Sequence, residues 1–128
     1  MAAYRRRTIG LASALSALAG YIDAIGFISL GGFFVSFMTG NTTRFGVEIA
    51  RIDPTGIAIA GGLLAAFVGG VVIGALVAKA AGRWRRVAVL NWVTLCLASA
   101  AALESVGNQT ASTVALVLAM AASNCVFQ

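Results

Sequence analysis

Gly56-Ile57-Ala58-Ile59-Ala60-Gly61-Gly62-Leu63-Leu64-Ala65-Ala66-Phe67-Val68-Gly69-Gly70-Val71-Val72-Ile73-Gly74-Ala75-Leu76-Val77-Ala78-Lys79-Ala80 is a hydrophobic run of membrane-spanning length. About 20 apolar residues rising 1.5 Å each cover a hydrocarbon core of about 30 Å. Gly62, Ala66, Gly70, Gly74 and Ala78 recur every four residues and include a GxxxG, so one face admits a close neighbour. Gly62, Gly70 and Gly74 are therefore the expected helix-packing positions. The run opens after Arg51-Ile52-Asp53-Pro54-Thr55, a polar connection whose proline suits a first helical turn. It closes on Gly82-Arg83-Trp84-Arg85-Arg86, a basic and aromatic junction of the kind found on the cytoplasmic side of a membrane.

Outward from this run the chain keeps the same character. Sixty per cent of its 128 residues are hydrophobic and ten per cent are charged, against about 25% charged residues in soluble domains. Mean hydropathy is +0.96. The expectation is an all-α, polytopic transmembrane helical bundle forming one domain over residues 1–128, with the lipid bilayer as its main partner. The length allows at most about four or five crossings. Further hydrophobic segments cover 8–30, 33–50, 87–103 and 111–128, with a polar loop over 104–110. Arg5, Arg6 and Arg7 ahead of the 8–19 run resemble a signal peptide, with Ala17-Leu18-Ala19 as a cleavage site. Hydrophobicity continues to Leu30, so an uncleaved first helix is expected.

The net charge of +5 does not point to nucleic acid. Seven of the nine basic residues cluster at Arg5, Arg6, Arg7 and at Lys79, Arg83, Arg85, Arg86, flanking apolar runs instead of alternating with aromatics along a groove. Such placement sets orientation in a membrane. If both clusters are cytoplasmic, an even number of crossings separates them and 33–50 is a re-entrant hairpin; a full crossing with an external basic loop stays open. The expected location is a bacterial inner membrane with the N-terminus in the cytoplasm. Histidine is absent, and Cys96 and Cys125 stand in apolar runs without a CxxC neighbour, so no metal site, cofactor or disulfide framework is expected. No Ser/His/Asp set, phosphate loop or pair of catalytic carboxylates is present, and enzymatic activity is not expected.

The second segment differs from the others. Phe33-Phe34-Val35-Ser36-Phe37-Met38 runs into Thr39-Gly40-Asn41-Thr42-Thr43-Arg44, a polar interruption whose hydroxyls and amide can satisfy backbone groups freed by a broken helix. Freed groups of this kind coordinate ions or anions in transporters; the alternative is a polar turn capping the following helix. In the first segment Asp23 carries a charge at depth, which costs at least about 2.5 to 3.5 kcal/mol on insertion scales. It is either a proton or cation site or a helix-packing group. Small residues at Ala12, Ser16, Gly20 and Ala24 mark a face that another helix can approach. Arg44 has Asp23 or Glu48 as candidate partners, or snorkels to an interface. Asn91 and Asn124 are single amides expected to bond across helix interfaces. The candidate substrate or ion site is Asp23, Ser36, Thr39, Gly40, Asn41, Thr42 and Arg44.

Gly20-Tyr21-Ile22-Asp23-Ala24-Ile25-Gly26-Phe27, followed by Leu30-Gly31-Gly32-Phe33-Phe34-Val35-Ser36-Phe37-Met38-Thr39-Gly40-Asn41-Thr42, resembles the YoaK family of bacterial integral membrane proteins. That family is of unknown function, so the resemblance implies location and architecture and no substrate. Its members are longer, with a second half echoing the first. Met120-Ala121-Ala122-Ser123-Asn124-Cys125 resembles the start of that second half, Asn124 standing for Asp23, which implies that this chain is a partial form. With a re-entrant second segment the echo would be inverted, as in many secondary transporters.

Two functions follow as expectations. One is a small-solute or ion transporter or channel with its site at Asp23 and the 39–44 break. The other is a non-transporting scaffold or assembly protein that forms homo-oligomers through small-residue helix faces.

Overall fold

A computed structural model describes Ala2–Phe127, with side-chain surroundings from Arg6 to Val126. The Arg5 side chain and Gln128 lie outside the described residues. The regular secondary structure of the described residues is all helix: α1 (Ala2–Ser29), α2 (Met38–Arg51), α3 (Pro54–Ala81), α4 (Arg85–Ser105) and α5 (Gln109–Ser123), with 3₁₀ turns at Gly82–Trp84 and Asn124–Phe127.

Local chemistry sets the boundaries. Pro54 stands in the first turn of α3, and the Asp53 carboxylate accepts the Thr55 N–H at 3.1 Å, a side-chain cap of the kind that fixes a helix start. Asn108 does the same for α5, accepting the Ala111 N–H at 3.1 Å. At Gly82, φ is +51°, and there the chain reverses so that α4 returns along α3.

The core lies among α3, α4 and α5. Val89, Val117, Met120, Ala121, Ala122 and Val126 are almost fully enclosed. Gly70 and Gly74 face α5: a Cβ at Gly70 would come within 2.6 Å of the Ala121 Cβ, and one at Gly74 within 3.0 Å of the Ala122 Cα. The small-residue stripe thus lets the α3 and α5 backbones approach each other inside one chain. Gly62, on the same stripe, is exposed with open space beside it. The buried Ser112 hydroxyl donates to the Ala100 carbonyl at 2.9 Å, tying the start of α5 to the end of α4.

By length and composition, Arg6–Ser29, Pro54–Ser105 (the α3–α4 pair) and Gln109–Val126 are apolar enough to cross a membrane. Val68, Val72, Leu76 and Leu95 point outward. Outward apolar surface on this scale suits lipid and not water. The molecule is an integral membrane helical bundle.

The second segment holds the main departure from the sequence reading. A break was expected at 39–44, after an apolar helix. The order is the reverse: residues 30–37 are non-helical, and Thr39 to Arg44 form the opening turns of α2. The cause is Gly31 and Gly32, with φ of +67° and +100°, which turn the chain back along α1. Gly26 and Val35 then meet so closely that a Cβ on Gly26 would lie 2.6 Å from the Val35 Cγ2. The Phe27 and Phe34 rings sit 5.1 Å apart. From Met38, α2 descends antiparallel to α3, with Glu48 against Gly56 and Phe45 against Gly61. Its 14 residues span about 21 Å, less than a hydrocarbon core. The segment therefore enters and leaves at one end of the bundle, with the N-terminus of α2 at about half depth.

Candidate functional site

The deepest part of this hairpin gathers most of the residues singled out by sequence. An extended stretch cannot satisfy its own backbone groups, and in lipid each orphan is expensive. Side chains do so here. One oxygen of Asp23 accepts the N–H groups of Val35 at 2.8 Å, Ser36 at 2.6 Å and, more weakly, Phe37 at 3.4 Å. The other oxygen accepts the Ser36 hydroxyl at 2.6 Å. Consecutive N–H groups just ahead of a helix N-terminus form a cradle for negative charge, and a carboxylate tethered on α1 fills it. Hydrogen bonds to an ionised group contribute about 1.5–3 kcal/mol each, so the three short ones together exceed the insertion cost of the charge.

Asn41 completes the arrangement. It is fully buried. Its Oδ1 accepts the Phe34 N–H at 2.8 Å while its Nδ2 donates to the Phe34 carbonyl at 2.7 Å. Gly40 lies beneath the Phe34 and Phe37 rings, where a side chain would collide with both. Those rings meet edge to face at 5.2 Å.

Arg44 holds the other end of the turn. Its Nη2 donates to the Gly31 carbonyl at 3.0 Å, and its guanidinium lies 5.1 Å from the centre of the Phe33 ring. A side chain on Gly32 would strike that guanidinium. Neither sequence-proposed partner of Arg44 pairs with it: Glu48 meets Arg51 at 3.8 Å, one turn along, and Asp23 is engaged by backbone. The Arg44 Nε is buried without a hydrogen-bond partner.

Asp23, Ser36, Gly40, Asn41 and Arg44 thus converge on one turn. Thr39 and Thr42 do not join them: both are exposed, and the Thr42 hydroxyl donates to the Met38 carbonyl of its own helix at 2.9 Å. Asn91 faces outward and crosses no helix interface. Asn124 donates at 3.2 Å to Met120, within its own segment. Sequence reasoning passed over Gly26, Gly31 and Gly32 as site residues and left the 34–37 backbone out of the site; the paired glycines at 31–32 were the available signal. Beside the turn, reaching Gly26 and Val35, lies an open cleft of about 270 Å³ between the end of α1 and the α4–α5 junction, with Glu104, Gln109 and Thr113 on its wall. A larger apolar cleft of about 540 Å³ lies between α3 and α5, with Gly62 on its wall.

Fold and site together define a polytopic helical membrane protein with a side-chain-pinned, broken second segment. The chain belongs to the DUF1275 family, described as a protein of unknown function, whose match covers residues 11–128. It is 43% identical over 122 residues to a UPF0700 transmembrane protein of Rhizobium meliloti (strain 1021), covering 94% of this chain and 52% of that one. The chain thus spans about half the length of the curated relative it matches. No solved structure matches it.

Proposed function

We propose that this protein moves a small solute or ion, with the hairpin of residues 31–51 as the element that gates the path and Asp23 as its latch. The observation that supports this is the placement of a carboxylate on one spanning helix, α1, against the backbone N–H groups heading a half-length helix, α2. Half-helices whose N-termini meet charge at mid-depth recur at transporter sites. The cleft reaching Val35 gives a solute a route to the latch from the end carrying Glu104.

The topology proposed with it puts α1, α3, α4 and α5 across the membrane and 31–51 in it as a re-entrant hairpin. Arg6 and Arg7 at the start of α1 and the Lys79, Arg83, Arg85, Arg86 cluster at the α3–α4 turn then fall at the same end, which the positive-inside rule assigns to the cytoplasm of a bacterial inner membrane. The role is non-enzymatic.

A second reading, a non-transporting assembly protein, draws support from one observation: both Asp23 oxygens and the Asn41 amide are already occupied by the chain itself. One experiment separates the two. Proteoliposomes containing a pH-reporting dye, challenged with gradients of protons, monovalent ions and small metabolites, should show protein-dependent flux that Asp23→Asn reduces at least tenfold without loss of folded protein. Flux equal to that of empty vesicles would leave the assembly reading, and protein-dependent flux indifferent to Asp23→Asn would remove Asp23 as the latch.

A further inference from the structure

The charges of this chain are segregated between the two ends of the bundle. Lys79, Arg83, Arg85 and Arg86 surround the α3–α4 turn. Arg6 and Arg7 join them at that end, because the other end of α1, at Ser29 and Leu30, shares a cleft with Ala58 and Ile59 at the start of α3. The four acidic side chains are elsewhere. Glu48 and Asp53 stand at the α2–α3 turn, Glu104 in the last turn of α4, and Asp23 in the hairpin latch. With α3 about 42 Å and α4 about 31 Å long, Asp53 and Glu104 lie several screening lengths of about 8 Å from the basic turn. Acids at that distance leave its charge unneutralised.

Helix stability does not explain these cations. Trp84, the residue ahead of α4, supplies no side-chain cap, and Arg85 and Arg86 occupy the first turn, where the helix dipole disfavours positive charge. Lys79, Arg83 and Arg85 are exposed. Trp84 among them is 65% exposed, and the Arg83 guanidinium lies 5.9 Å from the centre of its ring. An indole, apolar in body and polar at one edge, settles at the level of lipid headgroups. Its contact with Arg83 holds the guanidinium at the same depth, where the lipid phosphates are. Along α3, Val72, Leu76 and Lys79 follow at i, i+4 and i+7 on one face, with Val72 and Leu76 exposed. That face offers apolar contact that ends in a cation, which matches an amphiphile; a free anion would leave the apolar part uncovered.

We propose that the α3–α4 turn is a binding site for an anionic phospholipid, its phosphate held by Lys79, Arg83 and Arg85 beside the Trp84 ring and its acyl chain laid along Val72 and Leu76. Guanidinium groups take phosphate oxygens in a two-pronged fork, and the lysine adds a point charge. A zwitterionic lipid brings its own cation beside the phosphate, so the site selects a headgroup of net negative charge. The inference goes beyond transport and holds whether or not a solute is moved.

The test reads Trp84 fluorescence in a Trp92→Phe protein reconstituted into phosphatidylcholine bilayers with a minority of phosphatidylglycerol, the acyl chains of one lipid or the other being brominated. Brominated phosphatidylglycerol should quench beyond its mole fraction, with a relative association constant at least about fivefold that of phosphatidylcholine. Lys79→Gln, Arg83→Gln and Arg85→Gln together should bring that ratio close to one, while Arg51→Gln, at the opposite end, leaves it unchanged. Quenching that follows mole fraction alone would overturn the inference, as would a preference that survives the triple substitution. Should the triple variant fail to fold, a salt titration of the parent decides: the preference should fall as salt rises, and a salt-independent preference overturns the site. Loss of the preference on adding millimolar inorganic phosphate at constant ionic strength would assign the cations to a free anion and overturn the lipid.

Discussion

Replacing Asn41 with leucine tests whether side chains, and not the helices around them, hold the broken segment in place. The amide makes two short bonds to one residue, accepting the Phe34 N–H at 2.8 Å and donating to its carbonyl at 2.7 Å. Leucine fills nearly the same space with no polar atom, so both Phe34 groups lose their partner. Each stranded group costs about 1–3 kcal/mol, while the added apolar contact returns about 1 kcal/mol. The net loss is about 3 kcal/mol, which is about a hundredfold in a local opening equilibrium. Hydrogen exchange in nanodiscs, read by mass spectrometry, measures this directly. Protection of the Val35 and Ser36 amides, which donate to Asp23, should fall about a hundredfold while peptides from the middle of α4 stay unchanged. Unchanged exchange over 33–37 in a folded Asn41→Leu protein would refute the reasoning, because Asp23 alone would then suffice. A uniform loss through α3, α4 and α5 would refute it differently, by showing that the hairpin is not a separate unit.

Gly32→Ala should lower stability by about 1–3 kcal/mol, since φ is +100° and the new methyl falls on the Arg44 guanidinium; Arg44→Ala should recover the part due to collision, read as melting temperature in detergent. Gly70→Leu should cost about 3 kcal/mol or more by forcing α3 from Ala121, whereas Gly62→Leu, facing open space, should be tolerated; size-exclusion profiles of the two variants check the contrast. Ser112→Ala should cost about 0.6 kcal/mol through loss of its bond to the Ala100 carbonyl, measured by denaturant titration in mixed micelles.

The spanning helices were legible because lipid imposes a simple rule: long apolar runs with caps and charges at their ends. Asp53-Pro54 and Asn108 start α3 and α5 near where the sequence placed those starts. The hairpin was legible in kind and misplaced in detail. Phe33 to Met38 is the more hydrophobic half of the segment, and hydrophobicity alone assigns it to a helix. Two positive-φ glycines and a carboxylate 12 residues upstream of Val35 override that preference. Such long-range capture has no periodic signature. Arg44 shows the same limit: charge pairing pointed to Asp23 or Glu48, whereas a backbone carbonyl and a ring took its place. The stripe on α3 signalled close packing without naming a partner, because one glycine pattern serves contacts within a chain and between chains alike.

Why residue 23 is an acid can be argued from its donors. All four groups reaching it are donors: three backbone N–H groups and one hydroxyl. An asparagine carries only one accepting oxygen, and its NH₂ would face the Ser36 hydroxyl, which must then turn to accept. The neutral amide avoids an insertion cost of about 2.5–3.5 kcal/mol but forfeits about half the strength of each charge-assisted bond, roughly 2–4 kcal/mol over the three short ones. The gain and the loss nearly cancel. Asp23→Asn should therefore insert and fold much like the parent, which is what makes it a clean probe. A carboxylate and an amide that hold the turn equally well differ mainly in charge, and charge alters the movement of ions far more than it alters the packing of helices. A large change in flux with an unchanged melting temperature would assign Asp23 to function, and a change in melting temperature alone would assign it to architecture.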